Sequence, residues 1–494
     1  SRYTPSSTLQ RMELLKTGYM GTLSLGWDNY LFLELTGRQE RSSTLKDQSF
    51  FYPSANLSFL FTQAFHMPSW WNYGKLRLSY GIVGNAPETY TANIVYEQGS
   101  DNGFTWNTIP SSWGNADIHP EKKYEYEIGL ESKFLNNRLG IDISYYNNRV
   151  KDQILSTPQP STSGVKNVLM NVGEVANRGW DISISATPIL TRDFRWDLTA
   201  NYGVYKNKVV KLADGVPYLE ILNSGGSGIK IQAVEGQPMG DIYAQVPQVN
   251  ENGEYLVSDK GLYLNQTELQ KVGNINPAGV GGLFNSFSYK NVFLDFSIDF
   301  RIGGDVINEM NQYATAVGLT PESLKYRDTE HGGLSYYYPG DNNSSGIPVQ
   351  VDPSTGAGPN GEIIYHDGII LPGVVASTGE RNTRIILAGY YYNTTYNWGT
   401  EAEQLTYRHS VFDNSYVKLR ELTIGYQFPE KMISKLGLGR LSVSVFGRNL
   451  FYFYKALKNY DAESSVGTSW ANQATVGSST TATRSFGVSL RASF

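Results

Sequence analysis

The chain has 494 residues, enough for several ordinary domains or one large β-structure. A net charge of -5 offers no basic footprint for nucleic acid, and the absence of cysteine excludes disulfides and thiolate metal sites. With 35 Tyr, 21 Phe, 9 Trp, 50 Gly and only 18% charged residues, the composition favours strands and turns over helices.

The chain opens on "SRYTPSSTLQ", with neither Met nor a signal-peptide pattern, which reads as a fragment or a processed chain. Segments of about ten residues that alternate apolar and polar side chains then recur to the last residue. The first four strands are expected near 18–27, 30–38, 54–65 and 75–84. In "KKYEYEIGLESKF", Tyr124, Tyr126, Ile128 and Leu130 alternate with Glu125, Glu127, Gly129 and Glu131, predicting a strand over 123–134. Leu139, Ile141, Ile143 and Tyr145 predict one over 138–149, and Trp180, Ile182 and Ile184 another over 176–187. Phe194, Trp196, Leu198 and Ala200 mark 194–206, and a further strand is expected near 280–290. "VFLDFSIDFRI" sets Val292, Leu294, Phe296, Ile298, Phe300 and Ile302 against Asp295, Ser297, Asp299 and Arg301 over 292–303. The last three fall near 415–427, 441–450 and 484–494, giving roughly thirteen strands.

Period two gives each strand one apolar and one polar face. A soluble sandwich would turn the polar face to water and stack the apolar faces on a second sheet. A membrane barrel turns the apolar face to lipid and the polar face to a wet lumen. Two features favour the barrel. Aromatic residues gather at strand ends, in "SYY" (144–146) and "NLFYFY" (449–454), as an interfacial girdle requires. Connections also alternate in length: 136–137 and 290–291 are tight turns, whereas 208–278 and 304–414 are long. No apolar run reaches the roughly 18 residues of a transmembrane helix. The mean hydropathy of -0.35 does not oppose a barrel, whose strands average their two faces. The expected fold class is all-β, a transmembrane antiparallel β-barrel with long extracellular loops at 85–121, 304–414 and 451–483. Phe486, Val488, Leu490, Ala492 and Phe494 then form the lipid-facing row of a closing strand. An edge strand of a soluble sheet is the alternative, and it would leave a long aggregation-prone apolar edge.

Motifs with chemistry are sparse. "GAGPNG" (356–361) matches G-x-G-x-x-G but has no preceding strand or following helix, so it does not read as a dinucleotide site. "DNNSSGIPVQVD" loosely resembles a calcium loop through Asp341, Asn343, Ser345, Gly346 and Asp352, but lacks the bidentate Glu. His66, His119, His331, His366 and His409 are scattered, and no nucleophile–base constellation is readable, so neither a metal or other cofactor nor an enzyme is expected. The loops are rich in aromatic residues. Trp106, Trp113, Tyr336, Tyr337, Tyr391 and Trp398 are the candidate substrate contacts, able to stack on sugar rings or peptide side chains. The same rings could instead pack the loops together.

Longer stretches carry a resemblance. They include "LTGRQERSSTL" (35–45), "FFYPSANLSFLF" (50–61), "GKLRLSYGIVGN" (74–85), "IHPEKKYEYEIGLESKFLNNRLGIDISYYN" (118–147), "NVGEVANRGWDISI" (171–184), "DNSYVKLRELTIGYQFPE" (413–430) and "LSVSVFGRNLFYFYK" (441–455). Together they resemble the C-terminal part of SusC-like (SusC/RagA family) TonB-dependent outer-membrane transporters of the Bacteroidetes. The likeness spans essentially the whole chain. Two positions depart from the pattern: Gln39-Glu40-Arg41 stands where Asn-Asp-Trp is frequent, and Asp461-Ala462-Glu463 where Asp-Pro-Glu is common.

The resemblance implies the C-terminal strands of a barrel of about 22 strands around a plugged lumen. Residues 1–494 would be that portion, the plug domain and N-terminal strands being absent. It also implies nutrient import across the outer membrane, with oligosaccharides as substrate. A SusD-like surface lipoprotein, TonB acting through the plug, and outer-membrane lipid are the implied partners. The alternatives are a peptide-importing transporter and a smaller passive channel.

Overall fold

The computed structural model describes residues 12–493 except 46–48, 94, 102–103, 159–161, 163, 225–227, 341–345, 398–405, 466, 468 and 478–481. Period-two alternation becomes one thirteen-stranded antiparallel sheet, in which every strand pairs with its neighbours in the sequence of wall strands. The strands are β1 (Lys16–Trp27), β2 (Leu31–Ser42), β3 (Ser49–Phe59), β4 (Trp71–Asn85), β5 (Glu121–Phe134), β6 (Leu139–Lys151) and β7 (Glu174–Leu190). They continue as β8 (Phe194–Lys211), β9 (Gly279–Tyr289), β10 (Val292–Ile302), β11 (Tyr416–Gln427), β12 (Arg440–Lys455) and β13 (Ser485–Ser493). Among the described residues β1 and β13 each keep one unpaired edge.

Connections separate cleanly by end. Those at 28–30, 60–70, 135–138, 191–193, 290–291 and 428–439 lie at one end. Those at 43–48, 86–120, 152–173, 212–278, 303–415 and 456–484 lie at the other. Asp28 and Asn29 (φ 46° and 60°) and Asn136 and Asn137 (φ 56° and 63°) close tight turns in the left-handed region, which Asn and Asp tolerate best among residues with a Cβ.

Several strands run a few residues beyond expectation, as β8 does to Lys211 and β12 to Lys455, and the third is displaced as a whole. The third strand was expected over 54–65 and runs Ser49–Phe59. Pro53 is tolerated inside it because β3 pairs with β4 only from Ser54 onward, leaving 49–53 an edge on that side. Residues Phe61–Ala64 turn helical instead, so that Phe61 packs edge-to-face on Trp71 at 5.2 Å. Gly74 makes room for that ring, since a Cβ there would lie 2.2 Å from Phe61 Cζ.

The wall has two unlike faces. Register aligns Leu76, Leu130, Ile143, Ile182 and Tyr202 across β4–β8, and one level nearer the loops Leu78, Ile128, Tyr145, Trp180 and Val204. Leu78, Ile128, Leu130 and Trp180 are exposed, the outward apolar row of a membrane wall. No helix among the described residues is long and apolar enough to cross a membrane.

The densest buried core lies in the long connections rather than in the wall. Residues Tyr218–Ser224, Ile229–Val234, Asp241–Ala244 and Gln270–Asn274 form a four-stranded sheet within 212–278. Its Ile229, Ile231 and Ile242 pack with Ile307, Tyr407 and Val411 of 303–415 and with Ala471 and Ala474 of 456–484. Three connections therefore share one apolar core. Gly228 sits at its edge, where a Cβ would lie 1.9 Å from the Tyr407 ring. Gly228→Ala is expected to destabilise this layer by about 1–3 kcal/mol through overpacking. Limited proteolysis of 212–278 against an unchanged wall would register it.

Candidate functional site

The polar face of the wall carries a groove of about 680 Å³, lined by Arg77, Asp142, Ser144, Asp181, Ser183, Asn201 and Asp299 among others. These side chains come from β4, β6, β7, β8 and β10 and belong to the alternate positions opposite the outward row. Arg77 organises one end. Its Nη1 donates to Asp142 Oδ2 at 3.0 Å, and its Nη2 donates to Asp142 Oδ1 at 2.6 Å and to Ser144 Oγ at 3.1 Å. To reach β6 the guanidinium must cross β5, and the crossing point is Gly129. A Cβ there would stand 2.8 Å from the Arg77 nitrogens. Glu131, the cross-strand partner of Asp142, lies 3.5 Å from Arg77 as a second carboxylate. The floor is kept open by Gly203 and Gly282, whose missing side chains leave room beside Asp181 and Asp299.

The opposite end of the groove is tied to the loop layer. A bulge between Leu419 and Glu421 leaves Arg420 without an opposite residue in β12 and re-aims it. Its Nε meets Asp299 Oδ2 at 2.5 Å and its Nη2 meets Glu463 Oε1 at 2.6 Å. Glu463 also accepts from Lys418 Nζ at 2.5 Å, and that ammonium lies 4.8 Å from the centre of the Tyr452 ring. Tyr452 in turn donates to Asp461 Oδ1 at 2.7 Å. Asp461-Ala462-Glu463 is thus a latch that fixes 456–484 onto β10–β12. The hydrogen bond from Arg420, more than any other contact, holds the Glu463 carboxyl down at about 2.

The aromatic candidates fall into separate packing groups. Trp106 lies on Phe104–Thr108, paired with Glu97–Asp101 in a hairpin, and is 51% exposed. Trp113, on Ser112–Trp113, is half-buried and meets Tyr96 edge-to-face at 6.0 Å. Tyr336 is fully buried and donates to Asp367 Oδ1 at 3.0 Å, so in this arrangement it packs the loop and has no free face. Tyr337, next along Leu334–Tyr337, is partly exposed. Tyr391 lies on the helix Ala388–Tyr396 between the rings of Tyr392 and Tyr396, at 5.1 and 6.1 Å, and burial pushes its hydroxyl well above the usual range. Trp398 lies outside the described residues.

The remaining motifs resolve into loop anchors. Asp341, Asn343 and Ser345 lie outside the described residues, and among the described residues no cluster of three metal-ligating side chains occurs. "GAGPNG" is a turn pinned by Glu362, which accepts from the backbone N–H groups of Asn360 at 2.8 Å and Gly340 at 3.2 Å. Those bonds, Asn360 first, hold the Glu362 carboxyl near 2. The groove residues were absent from the candidates drawn from sequence, although each stood on a polar row already visible there. What singles out Arg77 is Gly129 opposite it, a pairing only register reveals.

Comparison with known proteins agrees with this geometry. The family model "TonB dependent receptor-like, beta-barrel" matches residues 3–247. TonB-dependent receptor P3 of Formosa agariphila is 24% identical over 91% of this chain and 42% of its own length. TonB-dependent receptor SusC of Bacteroides thetaiotaomicron is 30% identical over 46% of this chain and 24% of its own. Among solved structures, the RagAB peptide transporter superposes with a TM-score of 0.63 at 19% identity, covering 89% of this chain and 44% of that one. The chain spans less than half the length of these relatives.

Proposed function

This chain belongs to the TonB-dependent receptor β-barrel family, in its SusC-like branch, and on that premise we propose that it forms the wall and outer loop layer of a nutrient importer. The protein is an outer-membrane β-barrel protein. The observation that carries the proposal is the groove: a hydrogen-bonding face on one side of a lipid-facing wall, joined at its end to a loop layer built only at one end of the sheet. In this reading the chain supplies the C-terminal part of the barrel. The plug and the other strands complete it, TonB acts through the plug, and a SusD-like lipoprotein closes the mouth. Import is then binding, gating and release, driven by different affinities in open and closed states, with no covalent step.

The proposed cargo is an oligosaccharide, because hydroxyl and amide groups from Ser144, Ser183 and Asn201 share the groove. A peptide is the second reading, favoured by the charges of both signs at Arg77, Asp142 and Asp181. Calorimetry of the complete transporter with its lipoprotein, on panels of neutral glycans and of mixed-charge peptides, tests both. The expected result is glycan binding that Ser183→Trp, which fills the groove, weakens about tenfold or more. Binding of peptides alone would replace the first cargo by the second, and binding of neither would end the importer reading.

A further inference from the structure

The outward face of β5–β8 changes character at its loop end. Above the Ile128, Tyr145 and Trp180 level, register places Tyr126, Asn147, Arg178 and Lys206 side by side. The next level holds Tyr124, Arg149, Ala176 and Lys208, and the one above begins with Lys122 and Lys151. Lys122, Arg149, Lys151, Arg178, Lys206 and Lys208 are all exposed, while their intervening neighbours point the other way: Asn148 is buried and Lys123, Asn177 and Asn207 are partly buried. Arg149 has Glu174 at 2.9 Å. Among the described residues, Lys122, Lys151, Arg178, Lys206 and Lys208 have no carboxylate within 4.0 Å, the ion-pair limit.

Cations on a lipid-facing row need an explanation, since Arg or Lys on that face costs about 2–4 kcal/mol at the midplane and almost nothing at the interface. These sit one or two pleats above an aromatic belt. Tyr145 meets both Tyr126 and Trp180 there, with ring centres 6.5 and 4.9 Å away. Aromatic belts mark the boundary between hydrocarbon and headgroups. The cations are therefore at headgroup depth, on the surface that faces lipid rather than lumen. Like charges on neighbouring strands repel unless an anion lies between them. Arg178 and Lys206 are directly opposed across β7 and β8, and Lys208 stands one level above Lys206 with only Ala176 beside it. A phosphate suits such a group because guanidinium and ammonium donors can share its oxygens.

We propose that this patch binds the phosphorylated headgroup of a lipid in the outer leaflet. The proposal rests on the orientation given above, with the loop layer outside the cell. The patch is exposed, so its affinity falls as ionic strength rises.

The test uses the full-length transporter in detergent micelles, with diphosphorylated lipid A and its dephosphorylated form as probes. Binding is read by native mass spectrometry. The triple variant Arg178→Gln, Lys206→Gln, Lys208→Gln is compared with wild type, with Arg178→Lys, which keeps the charge, and with Lys123→Gln on the wet face. Each cation near an anionic lipid surface is worth roughly a factor of five, so the triple variant should bind the phosphorylated probe on the order of 100-fold more weakly. Arg178→Lys and Lys123→Gln should bind like wild type. Heat-modifiable migration confirms that each variant is folded. Wild-type affinity in the folded triple variant overturns the proposal, as does equal binding of the dephosphorylated probe or preference for a soluble acidic polysaccharide. Ala213→Cys, on the loop side of β8, separates this failure from that of the orientation. Labelling of intact cells by an impermeant maleimide, without phosphate discrimination, sinks the lipid site alone; lack of labelling sinks the orientation with it.

Discussion

Leu78→Arg is expected to remove most folded protein from the outer membrane, while Ser79→Arg leaves it nearly unchanged. The two residues are neighbours near the middle of β4, yet they point to different solvents. Leu78 is 38% exposed on the outward row, flanked by Leu57 on β3 and Ile128 on β5. An Arg there faces hydrocarbon and should cost on the order of 2–4 kcal/mol at the midplane. Ser79 lies on the wet row between Asn56 and Glu127, where a new guanidinium gains a carboxylate neighbour and water. The measurement is the heat-modifiable folded fraction in outer-membrane extracts of the full-length protein. The same contrast should appear for Leu490→Arg against Ser489→Arg on β13, which pair with Val443 and Ser444. Equal losses at 78 and 79 would show that the faces have been assigned wrongly.

Glu463→Ala is expected to be the most damaging change in the loop layer. Lys418 is 2% exposed at its side chain, and Glu463 is the carboxylate that receives its ammonium. Removing one partner of a buried pair costs about 3–5 kcal/mol. The lower end applies, because Glu463 retains 30% exposure and the Tyr452 ring still covers the ammonium. Arg420 loses the same partner and keeps Asp299 and the Asn449 side-chain oxygen. Protease should then cut within 456–484 while the wall stays intact. A pH dependence follows from the same contact. The Glu463 carboxyl is held at about 2, below its ordinary 4.5, by the hydrogen bond from Arg420 and then by Lys418. A depressed carboxyl contributes its full stabilisation above its unfolded value and loses it as pH falls through the folded one. Loop protection should decline between pH 4.5 and 2 in the wild type. In Glu463→Gln this component of the decline should be missing, and an identical pH profile in both proteins would remove Glu463 from the latch.

Alternation is a local property, so it could be read without neighbours. Val292, Leu294 and Phe296 share a face because a strand places every second side chain there, whatever lies beside it. All thirteen wall strands were legible on that ground, as were the tight turns at 136–137 and 290–291 and the division into short and long ends. The start of β3 was not, because Pro53 is acceptable only where β4 fails to pair, which is a fact about β4. Register is equally non-local. Arg77 and Asp142 are 65 residues apart, and their meeting over Gly129 depends on β4, β5 and β6 aligning together. The cationic patch has the same origin, since Arg178 and Lys206 become neighbours only through β7–β8 pairing. The loops were read as connections because their apolar residues follow no single period. Ile229, Ile307 and Ala471 find one another across three connections, and a separate loop cluster with Tyr338 and Ile385 seals Tyr336 inside while Trp106 stays exposed. The amino-acid sequence by itself determined the strands, their faces and the family resemblance, since each depends on residues close in the chain. The tertiary structure decided the groove, the latch and the patch, because each is made by side chains that only cross-strand register and loop packing bring together.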